Sequence, residues 1–155
     1  MEDETRWLTP SEQRAWRAFT GVHQKLPSAL ARKLQATGNL SVADYVVLVA
    51  LTDAPHGRQH FQELAKAVDW ERSRMSHHLN RMNKRGLVKR EDCPKDARGV
   101  RVIVTPTGRA AMEGAAPGHV ATVRRLIIDP LSPEELDMLT DLCEGILGRL
   151  EADPP

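Results

Sequence analysis

Apolar residues recur at helical spacing along most of this chain. Trp16, Phe19, Val22, Leu26, Leu30 and Leu34 stand three or four apart and predict one long amphipathic helix. Pro27 falls inside it and is expected to kink or split it, because the ring clashes with the preceding turn. Gly38-Asn39 ends the run. Val42 to about Thr52 reads as a second helix, apolar on nearly all sides and therefore deeply buried. Asp53-Ala54-Pro55-His56-Gly57 is a turn, and Phe61, Leu64, Ala65 and Val68 mark a third helix. Asp69-Trp70 leads into a fourth, roughly Arg72 to Lys84, with Met75, Leu79 and Met82 inward and Gly86 as its stop. The pattern then changes period. Leu87–Arg90 and Val100–Val104 are short β-branched runs around a polar loop, as in an antiparallel hairpin. A fifth helix is expected from Pro106 to near Ile128, interrupted around Ala116-Pro117-Gly118. A sixth, Pro133 to about Leu150, carries Leu136, Leu139, Leu142, Cys143, Ile146, Leu147 and Leu150 on one side.

Helix starts share one grammar. Thr9-Pro10, Thr105-Pro106 and Ser132-Pro133 each place a hydroxyl at the N-cap and proline at the first helical position, where its missing N–H costs nothing. Glu12 and Glu135 complete capping boxes, and Ser41 with Asp44 caps the second helix.

Composition and charge narrow the class. A chain of 155 residues with 41% hydrophobic and 28% charged residues is one globular unit with enough material for a core. Apolar runs such as Tyr45–Leu51 are too short to span a bilayer, and the acidic start MEDETRWLTP has no apolar signal core. Cys93 and Cys143 have no metal or redox spacing. These features point to a soluble cytoplasmic protein with reduced thiols and no membrane partner. Charge is strongly segregated. From Arg72 to Arg109, eleven Lys/Arg face only Glu91, Asp92 and Asp96, a balance of +8 in a chain whose total is +1. Asp129 to Pro155 carries eight carboxylates against Arg149 alone. A basic surface this concentrated suits a polyanion.

The fourth helix sharpens that reading. Ser73, Arg74, Ser76, His77, Asn80, Arg81 and Lys84 lie outside its apolar face, with no carboxylate after Glu71. Two short helices, the second basic, followed by a hairpin describe a winged helix-turn-helix in a mainly α chain of six helices. A helix fits the DNA major groove, and a guanidinium at a hairpin tip can enter the minor groove, where the potential is most negative.

The segments ELAKAVDWERSRMSHHLNRMNKRGLVKR and DCPKDARGVRVIVTPTGR resemble the MarR family of bacterial transcriptional regulators, and the helix order resembles it over nearly the whole chain. The resemblance implies that Ser73, Arg74, Ser76, His77 and Arg81 face the major groove or its phosphates, with Arg72 and Lys95 as adjoining phosphate-neutralising cations. It implies Arg98 as the wing-tip arginine, with Asp96 as its orienting partner. It further implies a homodimer built by the outer helices, a pseudo-palindromic operator, repression as the expected sign, and release by a small-molecule effector, phenolic in many members. The corresponding division is residues 1–40 and 106–155 for dimerisation and 41–105 for DNA binding. Three positions depart from the family pattern: Asp69 in place of glycine, Glu71 in place of a better N-cap, and Val104 in place of leucine.

Other chemistries find less support. His77 and His78 are adjacent on a helix and point about 100° apart, so they chelate poorly; His77 fits a DNA contact and His78 a partly buried residue. Cys93, near Lys89, Arg90 and Lys95, has the basic surroundings of a reactive thiol but no resolving partner. Cys143 suits apolar helix packing. His23, Trp16, Tyr45, His56 and His60 could line an effector pocket, and Asp53, His56 and His60 could meet around a turn; each also serves as an ordinary structural residue. No nucleophile–base pair, phosphate loop or paired carboxylates occur, so the chain is expected to be no enzyme, with no metal and no cofactor. The rival classes are an architectural, sequence-indifferent DNA binder and a protein-interaction module using the leucine-rich last helix.

Overall fold

The computed structural model describes residues 5–152. Among these, six α-helices surround a small sheet: α1 Pro10–Gly38, α2 Val42–Asp53, α3 Phe61–Ala67, α4 Arg72–Lys84, α5 Pro106–Val123 and α6 Pro133–Ala152. The strands are β1 Arg58–His60, β2 Val88–Asp92 and β3 Val100–Val104, in the order β1-β3-β2, antiparallel throughout. Val88 pairs with Val104 and Asp92 with Val100, while His60 lies opposite Arg101. The expected hairpin is therefore the outer part of a three-stranded sheet. Strand β1 is three polar residues long and shows no alternation, which is why the pattern hid it. His56 and Gly57, with φ of 60° and 65°, turn the chain into it.

The capping chemistry is as expected. Thr9 and Glu12, and Ser41 and Asp44, each exchange side-chain and backbone hydrogen bonds, as do Ser132 and Glu135. Two expectations about proline do not hold. Helix α1 runs unbroken for 29 residues through Pro27, and α5 passes through Pro117 without interruption. Both prolines are exposed, so the carbonyl each leaves unpaired can turn toward water. The irregularity comes later, as a π-helical turn over Arg124–Ile128.

The core sits in the unit formed by α2, α3, α4 and the sheet. Val47, Leu48 and Leu51 from α2 meet Leu64, Met75, Leu79, Met82, Val88 and Val102, all essentially inaccessible to solvent. Of the α1 stripe only Leu34 is buried; Trp16, Phe19 and Val22 are exposed, and α6 buries no residue at all. Cys143 is likewise exposed, so it packs in no core of this protomer.

Two corners lock the wing to the helices. At the end of α4, Gly86 takes φ 73°, and the Leu87 and Gly86 N–H groups donate to the Met82 and Asn83 carbonyls at 3.0 and 2.9 Å. At the start of α5, Thr105 Oγ1 donates to the Gly86 carbonyl at 2.5 Å and accepts from the Gly108 N–H at 2.9 Å. A Cβ on Gly108 would stand 2.0 Å from the Leu87 carbonyl oxygen, so only glycine fits there. A third anchor was legible only in part. Asp44, 2% exposed, receives Arg85 Nη1 at 2.7 Å and has His78 Nε2 at 3.0 Å, while Arg85 Nη2 donates to the Asn39 carbonyl at 2.6 Å. Burial opposes the Asp44 charge, but the His78, Arg85 and Ser41 hydrogen bonds together outweigh it and hold the carboxyl well below the usual carboxylate range.

The backbone corners and the buried carboxylate each make a stability prediction. Asp69, where the family pattern has glycine, adopts φ 53°; Asp69→Gly should therefore stabilise by up to about 1 kcal/mol, whereas Gly108→Ala should cost about 1–3 kcal/mol, both read by urea unfolding. The opposite order would mean that neither backbone constraint governs stability. The second prediction concerns acid. Because Asp44 is shifted downward on folding, its contribution is complete above the unfolded value, about 3.9, and disappears as pH falls below it. The stability gap between the parent chain and Asp44→Asn should be constant above about pH 5 and narrow toward pH 3; a gap independent of pH would rule out the ionised carboxylate as the cause.

Candidate nucleic-acid interface

Helix α4 presents three polar stripes around its buried face. Ser73, His77, Asn80 and Lys84 recur at i, i+4, i+7 and i+11 and point directly away from Met75, Leu79 and Met82; all four are exposed. Arg74, His78, Arg81 and Arg85 repeat the same spacing along one flank. Arg72 and half-buried Ser76 lie toward the other.

The flanking arginines are held, not loose. The Arg74 guanidinium stacks 4.1 Å above the Trp70 ring, and Trp70 meets His78 edge-on at 5.3 Å. Arg81 Nη2 lies 2.9 Å from His78 Nδ1. On the opposite flank, Arg72 and Arg90 approach the Phe61 ring at 6.0 and 5.7 Å. Arg90 also donates to Asn80 Oδ1 at 2.8 Å, tying β2 to the helix surface. Glu71 makes no side-chain cap, so that departure from the family pattern leaves the first turn of α4 uncapped.

The wing has its own anchoring. The Arg98 backbone N–H and Nε donate to Asp96 Oδ1 at 3.0 and 3.1 Å, and Nη2 donates to Oδ2 at 3.0 Å. These bonds lower the Asp96 pKa to about 2, so it stays charged at any ordinary pH. Arg98 Nη1 also reaches Glu63 on α3 at 3.3 Å, and buried His60 places Nε2 3.2 Å from Asp96 Oδ2. The Arg98 side chain nevertheless remains 55% exposed. Lys95 is exposed beside it.

The expected residues are thus only partly gathered in one place. Arg72, Ser73, Ser76 and Arg98 line a single open groove of about 500 Å³ between α4 and the wing, with Arg90 on its wall. His77 continues the outward stripe, and Arg74 and Arg81 occupy the far flank. Trp70, Phe61, Asn80, Glu63 and Asp44 were not singled out for the site from sequence. The available signal was spacing: Trp70, Arg74 and His78 are each four apart, one row on a helix surface.

The remaining candidates assemble nothing further. Among the described residues no three His, Cys, Asp or Glu side chains are placed to share a metal ion. Asp53, His56 and His60 line an open cleft with Arg58, Glu63 and Arg101 without forming such a set. Cys93 is half-buried, its thiol 3.9 Å from the Glu91 carbonyl. No single helix among the described residues is long and apolar enough to cross a membrane.

Known proteins share this arrangement. A sequence model described as MarR family matches residues 39–99, the segment from the end of α1 through the wing. The HTH-type transcriptional repressor YetL of Bacillus subtilis is 28% identical over 111 residues, covering 72% of this chain and 66%, just under two thirds, of YetL. The crystal structure of AbsC, a MarR family transcriptional regulator from Streptomyces coelicolor, is 40% identical, with a TM-score of 0.91 over 96% of this chain and 100% of AbsC. Sco3205, a MarR family regulator from the same organism solved in complex with DNA, is 39% identical, with a TM-score of 0.90 over 96% of this chain and 93% of that one. With two such relatives matched over nearly its full length, the chain belongs to the MarR family of transcriptional regulators.

Proposed function

We propose that this protein is a homodimeric, sequence-specific DNA-binding repressor whose operator is a two-fold symmetric site. The observation that carries the reading is the groove in which wing residue Arg98 and the recognition-helix residues Arg72, Ser73 and Ser76 face one open space. The Sco3205 complex with DNA supports it by likeness. Helix α4 enters the major groove, with Ser73 and His77 reading base edges and Arg72, Arg74 and Arg81 at bases or flanking phosphates. Arg98, its guanidinium plane set by Asp96, enters the minor groove, and Lys95 neutralises phosphate.

Dimerisation explains the apolar surface. Trp16, Phe19 and Val22 on α1 and Met138, Leu142, Leu147 and Leu150 on α6 are all more than 45% exposed. Contiguous apolar faces of this kind are buried by a partner in stable proteins. Residues 1–40 and 106–155 therefore build the dimer, and 41–105 form the DNA-binding unit. An open, largely apolar cleft of about 830 Å³ between α1 and α2, lined by Pro27, Ala31, Ala36, Leu40, Val42 and Ala43, is the place for an aromatic effector. Such a ligand relieves repression only by favouring the DNA-incompetent form.

Selection from random duplexes at stated salt tests the assignment. It should return a symmetric motif with half-site centres about 10 base pairs apart. Leu142→Glu combined with Leu147→Glu should give a monomer by light scattering and abolish that symmetry; tight, salt-sensitive binding with no enriched motif would replace this reading with an architectural one. Phosphate-neutralising and base-reading residues separate next. Arg98→Ala should weaken operator and scrambled DNA alike and lower the salt slope by about 0.9 for each phosphate that is no longer neutralised. His77→Ala should instead relax preference at one position per half-site, at about 1–3 kcal/mol. Identical, sequence-blind losses from both variants would contradict this division of roles.

A further inference from the structure

A histidine buried beneath the DNA-facing side of α4 touches no DNA in this arrangement. His78 is 6% exposed, yet it meets both neighbouring arginine positions on its flank, Arg81 directly and Arg74 through Trp70. Its two ring nitrogens do different work. A guanidinium offers only donors, so Nδ1, 2.9 Å from Arg81 Nη2, must accept and carry no proton. The ring proton of the neutral imidazole then sits on Nε2, facing Asp44 Oδ1 at 3.0 Å. That second contact lies off the line of a good N–H···O bond, so its attraction is chiefly that of the N–H dipole for a fixed charge. Asp44 is held in turn by the Ser41 N–H and by Arg85, which grips the Asn39 carbonyl at the end of α1.

We propose that His78, oriented by Asp44, is a positioning residue for sequence recognition: it fixes the Arg81 guanidinium on the α2 side of the recognition helix and so sets the base preference at the edge of each half-site. The proposal rests on α4 being the DNA-reading helix. Arg81 is exposed and has several rotatable bonds, and ordering such a side chain on binding costs free energy. A hydrogen bond to a rigid, buried ring removes much of that freedom beforehand, and it does so in one orientation. A histidine that merely filled space would affect stability but not base preference.

A double-mutant cycle on the full-length dimer separates the two roles, using the selected operator, its single-base variants and scrambled duplex at one salt concentration. His78→Gln keeps an acceptor for Arg81 and a donor for Asp44; His78→Phe keeps the volume and neither polar group. Arg81→Ala should lower operator affinity about tenfold in the parent chain and much less in His78→Phe. His78→Phe should flatten preference at the same base position as Arg81→Ala, and His78→Gln should restore it. Equal losses from Arg81→Ala in both backgrounds, or no rescue by glutamine, would overturn the proposal. A measurement that needs no variant stands beside the cycle. In the nitrogen spectrum of the labelled parent protein at neutral pH, His78 should show an unprotonated Nδ1; a protonated Nδ1 cannot accept from Arg81 and would refute the geometry. If Arg81→Ala leaves operator binding intact while His77→Ala and Arg98→Ala weaken it, this inference alone fails. If all three leave it intact, the DNA-reading assignment of α4 fails with it.

Discussion

Burial of Met75, Leu79 and Met82 is the contact on which the rest of the structure depends. These three side chains, all inaccessible to solvent, hold α4 against α2 and the sheet. The helix has little else to recommend it. It has no side-chain N-cap, no acidic residue in its first turn, and cations at Arg72, Arg74, Arg81 and Lys84 that repel one another. Isolated helices of this length are marginal in water even with good sequences. Tertiary burial therefore supplies the stability, and the exposed side is released from any structural duty. That release permits a surface of uncompensated cations, which a self-stabilising helix would neutralise with i,i+4 carboxylates.

Asp44 completes the support from behind. Its carboxylate is the negative group buried under the basic helix, and it closes the capping box of α2 while taking up Arg85 and His78. One buried charge thus fixes the start of α2, the end of α4 and, through Asn39, the exit of α1. Burying a charge is costly unless every lone pair is used, and here the Ser41 N–H, Arg85 and His78 between them occupy both oxygens. The arrangement places the mechanical junction between the outer helices and the reading helix at a single residue.

The helices were legible because their apolar faces repeat at 3.6 residues and their starts carry explicit caps; α4 runs between the residues expected of it, and Met75, Leu79 and Met82 point inward as the spacing requires. The failures have equally local causes. Strand β1, Arg-Gln-His, has no apolar residue to alternate with, and it forms because β3 offers it an edge. Pro27 and Pro117 were read from the general cost of proline in helices, but each stands on an exposed side where the lost bond is cheap. The site was legible as a set of exposed residue types and not as a network. Asp44 and His78 are 34 positions apart in sequence, and periodicity within one helix carries no information on such a pairing. Likewise the stripes on α1 and α6 announce apolar faces without saying which surface covers them; in the protomer most of each stripe stays open.

The arginines of the interface differ in how they wait for a partner. Arg98 is already bonded to Asp96 and Glu63, two carboxylates that a phosphate or a groove would have to match or share. Asp96 bonds both Nε and Nη2, so it can stay in place and orient the plane, whereas Glu63 touches only Nη1 and is half-exposed. The Glu63 contact is therefore the one to be exchanged when Arg98 inserts, and an exposed pair of this kind is worth little on its own. Arg74 waits on an aromatic face and Arg81 on a neutral ring nitrogen, neither of which competes as a charge. The basic surface thus keeps its guanidiniums ordered with partners weaker than a phosphate, which limits both the entropy lost on binding and the electrostatic penalty of letting the resting partner go.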